Sequence, residues 1–276
     1  MKCPLCGYEK PHKHGLTSKG SQRYFCHKCQ QTFTDTFDTL YYRRQVSKEE
    51  VRIVLQAHAE GSSLRGISRI SGLAYETVVS IVQAAAEKAQ MVHNAEVQDV
   101  DTDAIAADEL WSFVEKNIHH CLPEELVAGD CWIALSLAQL SGLILCGRGG
   151  KHTDELAQEL ISTTEGKTDC KEWGTDGWQG YGRVLPSEVD HYISKALTPR
   201  LERTNGILRQ QTGRWHRRQN KFGKMWQQTK VTLRLVISYF NWYGLHSCLV
   251  TTAAQRAELA DCPWTWNDIA TYPTLL

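Results

Sequence analysis

Two closely spaced cysteine pairs near the start of the chain restrict what its first segment can fold into. Cys-Pro-Leu-Cys at 3–6 and Cys-His-Lys-Cys at 26–29 each place two thiols in one tight turn, and 19 residues separate the pairs. Two such turns supply the four soft ligands that zinc takes in a tetrahedral structural site. A segment this short cannot fold on an apolar core alone, so metal binding has to supply much of its stability. We therefore predict a zinc ribbon over residues 1–42, with Zn²⁺ bound by Cys3, Cys6, Cys26 and Cys29.

The apolar pattern of the chain indicates its cellular compartment and the state of its other cysteines. The chain has no apolar leader after Met1 and no apolar run of the roughly 18 residues that a membrane span needs. This pattern predicts a cytoplasmic protein whose thiols stay reduced, so a disulfide framework is not expected. The other six of the ten cysteines are predicted to be packing residues, namely Cys121, Cys131, Cys146, Cys170, Cys248 and Cys262.

Cations and aromatic residues are mixed between the two cysteine pairs. Arg23 stands beside Tyr24 and Phe25, and several lysines and histidines precede them. This mixture is typical of surfaces that contact phosphate groups and stack on bases, although zinc ribbons also bind proteins. We take Arg23 as a candidate DNA contact.

Residues 43–92 show the pattern of three short helices. Ser47 begins a capping box for the first helix, and Gly72 marks a tight turn before a third helix expected from about Tyr75 to Ala89. A short helix, a turn that contains glycine and a longer helix predict a helix-turn-helix DNA-binding domain, although three-helix units are also common without DNA binding. The side chains predicted to enter a major groove are Tyr75, Thr77 and Ser80, with Glu76 beside them.

The charges of the chain are strongly segregated. The polar and acidic segment 93–103 has no clear periodicity and is predicted to be a linker. Residues 96–172 contain 16 acids against 5 lysines and arginines, whereas residues 195–234 contain 11 lysines and arginines against one acid. The basic block indicates a polyanionic partner, with a solvated helical face as the alternative.

Strands and helices alternate in residues 104–245. The predicted strands are 110–114, 131–138, 143–146, 171–174 and 191–194, with a helix at 153–162 and a long basic helix from about Pro199. This order of elements is that of the ribonuclease-H-like fold, in which the first strand, the end of the fourth strand and the last helix meet at one site. The predicted fold class is therefore multi-domain α/β, with a zinc ribbon, a helix-turn-helix and a ribonuclease-H-like mixed-sheet domain. The tail at 246–276 has no motif that we can place, and it could pack on the core or contact a second subunit.

Three acids stand where such a site would need them. Asp108 precedes the first predicted strand, Asp176 follows the fourth, and Glu202 lies in the first turn of the long helix. Carboxylates placed this way could hold two Mg²⁺ ions about 4 Å apart, one to activate the attacking oxygen of phosphodiester chemistry and one to stabilise the leaving oxygen. Each acid also has a simpler interpretation as a turn cap, a turn signal or an ion-pair partner. Three neighbouring acids could take the role of Asp108, namely Asp101, Asp103 and Glu109.

Several motifs resemble those of the transposases of the insertion-element-one family, in order from about residue 1 to 245. They are Asp-Glu-Leu-Trp-Ser-Phe-Val at 108–114, Thr-Asp-Gly-Trp at 175–178, and the run from 191 to 210 that contains Thr-Pro-Arg-Leu-Glu-Arg-Thr-Asn. The N-terminal Cys-x-x-Cys-Gly, with Gln-Arg-Tyr-Phe-Cys at 22–26, resembles the zinc-bearing protein of that family. Many members encode these two parts in separate reading frames joined by a frameshift, so this chain resembles a natural fusion.

The resemblance implies a DDE transposase in which Asp108, Asp176 and Glu202 form the catalytic triad. Its catalytic cofactors would be two Mg²⁺ ions, for which Mn²⁺ could substitute. The expected DNA contacts around Glu202 and along the basic segment are Lys195, Arg200, Arg203, Asn205, Arg209, Arg214, Arg217 and Arg218.

The expected activity combines recognition of DNA ends with strand chemistry. The two N-terminal modules would bind the terminal inverted repeats of an insertion sequence, and the catalytic domain would cleave a strand and transfer its 3′-OH into target DNA. At least a dimer is expected on double-stranded DNA, at the nucleoid of a prokaryotic cell and away from membranes. The alternatives are a ribonuclease-H-like nuclease such as a junction resolvase, and a DNA-binding regulator that has lost catalysis. The two DNA-binding modules argue against the first alternative, and the presence of all three acids argues against the second.

Overall fold

A computed structural model of the protein describes residues 2–18, 20–122, 128–194, 198–216 and 221–274. Within these residues no helix is long and apolar enough to cross a bilayer.

The N-terminal module is a three-stranded antiparallel sheet that joins the two cysteine turns. Its strands, in spatial order, are β1 (His12–Leu16), β2 (Gln22–Cys26) and β3 (Gln31–Thr34). Every residue of β1 is exposed. The buried residues that pack around the cysteine turns are Cys3, Cys26 and Phe33, so the interior here consists largely of the cysteine cluster itself.

Three helices follow, as predicted. They are α1 (Lys48–Ala59), α2 (Leu64–Ser71) and α3 (Tyr75–Glu96). Ser47 and Glu50 form the predicted capping box of α1. Gly72 ends α2 in the left-handed conformation, with a φ of 72°.

The prediction of a linker at 93–103 is wrong for its first part, which is helical as far as Glu96. The rest of the segment packs against the core. The third helix continues to Glu96 because Val92 and His93 are buried on its inner face. Val97 and Val100 are buried in the main core, and the Val100 amide donates to the Lys167 carbonyl at 2.9 Å. These apolar residues attach the helices to the following domain. Their spacing is too irregular to show a period in the sequence.

The central domain contains the predicted mixed sheet. Its strands are β4 (Ile105–Val114), β5 (Gly129–Ala138), β6 (Ile144–Gly150), β7 (Glu172–Thr175) and β8 (Asp190–Ile193). Their spatial order is β6-β5-β4-β7-β8, with β5 antiparallel to its neighbours and with β7 and β8 parallel to β4. The first strand begins at Ile105, earlier than predicted, because the small apolar residues before Asp108 are buried. Asp108 therefore lies inside the strand and not before it.

Helices cover both faces of this sheet. On one face lie α4 (Asp154–Glu165) and α5 (Gln179–Val184), and on the other lie α6 (Pro199–Thr212) and α7 (Trp226–Ser238). Successive residues of a strand point to opposite faces, so Asp108 faces α6 whereas Glu109 faces α5.

The tail packs on the protein, which is one of the two possibilities left open by the sequence. A π-helical turn at Tyr239–Tyr243 follows α7, and two short helices complete the chain, α8 (Ala253–Arg256) and α9 (Trp266–Thr271). Trp266 is buried in the same apolar cluster as α1 and α3, and its Nε1 donates to Gln56 Oε1 at 2.9 Å. The three-helix unit and the tail therefore share one core.

Gly61 lies at a close approach between the three-helix unit and the end of α6. Its φ is +78°, and a Cβ at this position would collide with the main-chain oxygen of Gln211. We expect Gly61→Ala to lower the free energy of unfolding by about 3 kcal/mol, since strain of the backbone adds to the clash. Gly72 has a similar φ but no atom within 4 Å of the position of a Cβ. Gly72→Ala should therefore lower the free energy of unfolding, measured in urea, by only about 1 kcal/mol. Equal losses in the two variants would contradict the close contact between Gly61 and α6.

Two buried histidines predict that the protein loses stability in mild acid. Burial lowers the pKa of His58 to about 3 and that of His93 to about 4. The unfolded chain therefore binds more protons than the folded chain below about pH 6.5, and stability falls as the pH falls through this window. From pH 7 to pH 5 each histidine should remove about 2 kcal/mol from the free energy of unfolding.

Urea unfolding of variants at these two pH values measures the effect of one histidine. In His58→Leu the pH-dependent loss should be smaller by about 2 kcal/mol than in the wild type. The exposed His119, replaced by glutamine, serves as the matched control and should leave the loss unchanged. An identical pH dependence in His58→Leu and the wild type would show that His58 does not become charged on unfolding.

Candidate active site

Two of the predicted catalytic acids lie side by side because the strands that carry them are parallel neighbours. β4 pairs with β7 as far as Ala107 and Thr175. The residue that follows this pair is an aspartate in each strand, Asp108 after Ala107 and Asp176 after Thr175. The two aspartates therefore lie next to each other where the pairing ends. One carboxylate oxygen of each lies within 4.8 Å of the other and of a Glu109 oxygen. The sheet thus creates a compact acidic group.

The Asp108 carboxylate is fixed by hydrogen bonds to both of its oxygens. The Glu109 amide donates to Oδ1 at 2.8 Å, and Asn205 Nδ2 donates to Oδ2 at 2.7 Å. Burial raises the pKa of Asp108, and the charges of Asp176 and Glu202 add to the rise. A cation among these acids would relieve both effects.

The role predicted for Asn205 needs correction. This residue was expected to contact DNA, but it is only 1% exposed and its side-chain amide is bound to Asp108. It lies on the face of α6 that packs against the sheet, one turn after Leu201. Its position makes it a residue that orients Asp108.

Asp176 is the more open of the two aspartates. It follows directly after β7, and its Oδ1 accepts a hydrogen bond from the Trp178 amide at 2.9 Å. This contact is the turn interaction that the Asp-Gly sequence also predicts. The turn leaves the exposed carboxylate beside Asp108.

The third predicted acid, Glu202, lies outside the compact group. It is exposed in the first turn of α6, where the Thr198 hydroxyl donates to Oε1 at 3.2 Å. Within the described residues, the group of acids whose oxygens all lie within 4.8 Å contains Glu109 and not Glu202. Glu202 is still near enough for its charge to raise the pKa of Asp108.

Glu109 is a member of the acidic group that the sequence indicated only as a competitor of Asp108. Its side chain is 3% exposed, the Tyr181 hydroxyl donates to Oε1, and His152 Nε2 lies 3.7 Å from Oε2. Burial raises the pKa of Glu109 to about 8, with the charges of Asp176 and Asp108 adding to it. In the sequence, the signal for Glu109 was its position directly after Asp108.

A stack of three aromatic rings lies next to Glu109. The His152 ring is held between the indoles of Trp132 and Trp178, at centroid distances of 4.1 and 4.0 Å. The stack fixes the position of the imidazole beside Glu109 and attaches the turn after Asp176 to β5. These three residues come from separate segments, and their sequence pattern did not indicate the contact.

The four N-terminal cysteines also meet as predicted. Their sulfur atoms all lie within 4.8 Å of one another. Cys3 Sγ is 3.7 Å from Cys29 Sγ, and Cys6 Sγ is 3.5 Å from Cys26 Sγ. Four thiolates about 2.3 Å from a tetrahedral zinc ion are about 3.8 Å apart, so the spacing of these sulfurs fits that ion.

A comparison of the sequence with protein families identifies the central domain. A sequence model described as IS1 transposase, of the DDE type, matches residues 104–241, which is half of the chain. The chain belongs to the IS1 transposase family. The matched segment contains both aspartates, Glu109, Glu202 and the basic helix α6, so the acidic group lies within the family's shared region.

Solved structures similar to this transposase include complexes of the Mos1 transposase. The Mos1 strand transfer complex matches at 8% identity with a TM-score of 0.32, over 83% of this chain and 78% of that one. A pre-cleavage Mos1 transpososome matches at 8% identity with a TM-score of 0.30, over 83% of this chain and 79% of that one. No curated protein matches the sequence.

The predicted DNA contacts of the transposase are not equally accessible. Ser80 is exposed and its hydroxyl accepts from Arg44 Nη1 at 3.1 Å, while Arg65 lies 5.0 Å from the centre of the Tyr75 ring. Thr77 and Arg23 are half-buried, on α3 and β2. The N-terminal end of α3 is therefore partly accessible to a binding partner.

The arginines predicted in the basic segment fall into two groups. Arg203 is exposed, and Arg209 is half-buried on α6. Arg200 donates to the carbonyls of Gln139 and Leu140, and burial lowers the pKa of the half-buried Arg214. Arg200 thus has structural contacts, and Arg214 a degree of burial, that the sequence did not predict. Three predicted contacts, Lys195, Arg217 and Arg218, lie outside the described residues.

The six cysteines outside the N-terminal cluster are not all packing residues. Cys131 and Cys146 are buried in the core, and Cys121 and Cys170 are half-buried. Cys248 and Cys262 are exposed, which corrects the prediction for the tail.

Proposed function

We propose that this transposase cleaves DNA strands at the ends of an insertion element and joins the resulting 3′-OH ends to target DNA. The observation that carries the proposal is the juxtaposition of Asp108 and Asp176 beside α6, within the segment that matches the family. Two carboxylates at neighbouring parallel strands, with a third acid on the adjacent helix, form an arrangement suited to phosphodiester chemistry.

The residues present fit divalent magnesium. Hard cations such as Mg²⁺ take oxygen ligands, and Asp108 and Asp176 supply carboxylate oxygens within 4.8 Å of each other, with the charge of Glu202 nearby on α6. We propose that Asp108, Asp176 and Glu202 hold two Mg²⁺ ions, with Mn²⁺ as a possible substitute. Such ions would activate the attacking oxygen and stabilise the leaving oxygen.

The surrounding residues would keep these acids in place during the reaction. Asn205 and the Glu109 amide orient the two oxygens of Asp108, and the Trp178 amide orients Asp176. Glu202 lies on α6, one residue before the exposed Arg203, which could bind a phosphate of the strand being cut. This arrangement supplies fixed acids on the sheet and a cation on the helix.

The N-terminal modules are proposed to recognise the DNA ends. Zn²⁺ bound by the four cysteines would hold the ribbon at 1–42 together, and the helix-turn-helix at 43–92 would present the start of α3 to a major groove. The catalytic domain at 104–245 would then receive the terminal inverted repeat. Both ends of an element must react together, so we propose at least a dimer on DNA, at the nucleoid in the prokaryotic cytoplasm.

One observation favours a second candidate function. Glu202 lies outside the compact acidic group, so a DNA-binding protein of this fold that does not cleave DNA is the alternative. A nuclease that cleaves without joining strands is a further outcome that the same experiment distinguishes.

The experiment incubates the full chain and Mg²⁺ with a duplex that carries the repeats flanking its own gene. The proposal predicts strand cleavage at the repeat ends and joined products when target DNA is added. A duplex with scrambled repeats and a reaction with Ca²⁺ in place of Mg²⁺ are the controls. Specific binding without cleavage would support the non-catalytic alternative, and cleavage without joining would support a nuclease.

A further inference from the structure

A cavity of about 550 Å³ lies between α6, the π-helical turn and the segment that follows that turn. Three arginines line it, Arg200 and Arg203 from α6 and Arg256 from α8, together with His246. No aspartate or glutamate of the described residues lines it. The volume is in the range of ligand-binding cavities, and its charged lining is entirely cationic.

Two of these arginines are fixed by the same turn between β5 and β6. Arg200 Nη1 donates to the carbonyls of Gln139 and Leu140, and Arg256 Nε donates to the Ser141 carbonyl at 2.7 Å. Arg256 Nη1 also donates to the Thr251 carbonyl, at 2.9 Å. The two guanidinium groups are therefore held in place by main-chain oxygens, which carry no net charge.

The cavity concentrates positive charge without an acidic ion-pair partner among the described residues. Within the described residues no carboxylate lies within 4.0 Å of a side-chain nitrogen of the three arginines. Burial lowers the pKa of Arg256, and the nearby charge of Arg200 lowers it further. Like charges fixed together without a counterion destabilise a fold, and a bound anion removes that repulsion.

His246 adds a further hydrogen-bond donor to this lining. Its Nδ1 accepts hydrogen bonds from the amides of Cys248 and Leu249, each at 3.2 Å. An imidazole whose Nδ1 is an acceptor carries its proton on Nε2, which is then a donor. Phosphate oxygens are acceptors only, so guanidinium and imidazole N–H groups around one cavity suit a phosphate group.

We propose that this cavity binds backbone phosphates of a DNA strand that leaves the acidic group across α6, an inference that rests on the proposed function. Arg203 follows Glu202 directly on that helix and lines the cavity, so one strand can contact both places. Contacts to phosphates position a strand without reading its sequence. The cavity therefore determines how the strand is held and not which sequence is chosen.

The first test measures the salt dependence of DNA binding without added Mg²⁺, which separates it from strand cleavage. In Arg203→Gln the slope of log affinity against log salt should be shallower by about 0.9, the value for one lost phosphate contact. Arg183→Gln is the matched control, because Arg183 is an exposed arginine paired with Asp154 and should leave the slope unchanged. An unchanged slope in Arg203→Gln overturns the cavity proposal and leaves the assignment of Asp108, Asp176 and Glu202 intact, whereas no DNA binding by the wild type overturns both.

The second test uses Cys248, an exposed thiol of the lining, as a probe of proximity. DNA that carries a disulfide-activated tether on one backbone phosphate should cross-link to the wild type and to Cys262→Ser but not to Cys248→Ser. Cys262 is the matched control because it is also exposed. Absence of a cross-link to Cys248 at every tether position would overturn the proposal.

A third experiment distinguishes binding of DNA in the cavity from binding of a free anion with the same chemistry. Inorganic phosphate is titrated in a thermal unfolding assay of the wild type and Arg203→Gln. Stabilisation of the wild type alone, with an unchanged DNA salt slope in the variant, would mean that the cavity takes a free phosphate and would overturn the DNA assignment.

Discussion

Replacing Asp176 with asparagine is expected to reduce Mg²⁺-dependent strand cleavage by about a thousandfold or more. The amide oxygen of asparagine can still accept the hydrogen bond from the Trp178 amide, so the turn should keep its shape. The negative charge that would bind the metal is lost. Single-turnover cleavage of end DNA measures the effect, and end binding by the variant should remain within a fewfold of the wild type.

Asp176 suits this test better than Asp108. Both oxygens of Asp108 accept hydrogen bonds, so an asparagine there would turn its own amide group towards a donor. Asp154→Asn is the matched control, because Asp154 is a half-buried aspartate of the same domain that pairs with Arg183. Cleavage by Asp176→Asn at a rate similar to that of Asp154→Asn would remove Asp176 from the catalytic site.

Replacing Cys26 with serine is expected to release the zinc ion and unfold the N-terminal ribbon. Cys26 is fully buried in the cysteine cluster, and the ribbon has little other apolar interior to keep it folded. Structural zinc sites contribute on the order of 10 kcal/mol to folding, so the loss of one ligand should abolish the ribbon at ordinary zinc concentrations. Zinc content should fall from one equivalent to none, and affinity for end DNA should fall by about a hundredfold or more.

Cys262→Ser provides the matched control for the zinc experiment. This cysteine is exposed in the tail and far in sequence from the ribbon, so the variant should retain zinc and bind DNA ends normally. If Cys26→Ser lost its zinc but bound ends at full strength, the ribbon would have another partner. If it kept a full equivalent of zinc, the four-cysteine assignment itself would be wrong.

The sequence predicted the elements that depend on local chemistry. The capping box at Ser47, the left-handed glycine at position 72 and the cysteine turns each follow from a few neighbouring residues. The order of strands and helices in the central domain, and with it the meeting of Asp108 and Asp176, also followed from the pattern. The start of β4 was missed because Ala106 and Ala107 are small residues that carry little hydrophobic signal.

Contacts that depend on tertiary packing could not be predicted. Asn205 and Asp108 are 97 residues apart, and only the packing of α6 on β4 turns the amide away from solvent and towards the carboxylate. The His152 stack joins three separate segments, and Trp266 of the tail enters the core of the three-helix unit. None of these residues lies in a periodic pattern that indicates its partner.

A comparison of two glutamine substitutions shows which glutamate completes the proposed catalytic group. Asp108 and Asp176 lie beside the enclosed Glu109, whose carboxylate already accepts from Tyr181, whereas Glu202 is exposed on α6. Single-turnover cleavage of end DNA with Mg²⁺ is compared for the wild type, Glu202→Gln and Glu109→Gln. We expect a loss of about a thousandfold or more for Glu202→Gln and of less than about tenfold for Glu109→Gln. Wild-type cleavage by Glu202→Gln together with loss of cleavage in Glu109→Gln would show that Glu109, and not Glu202, is the third catalytic acid.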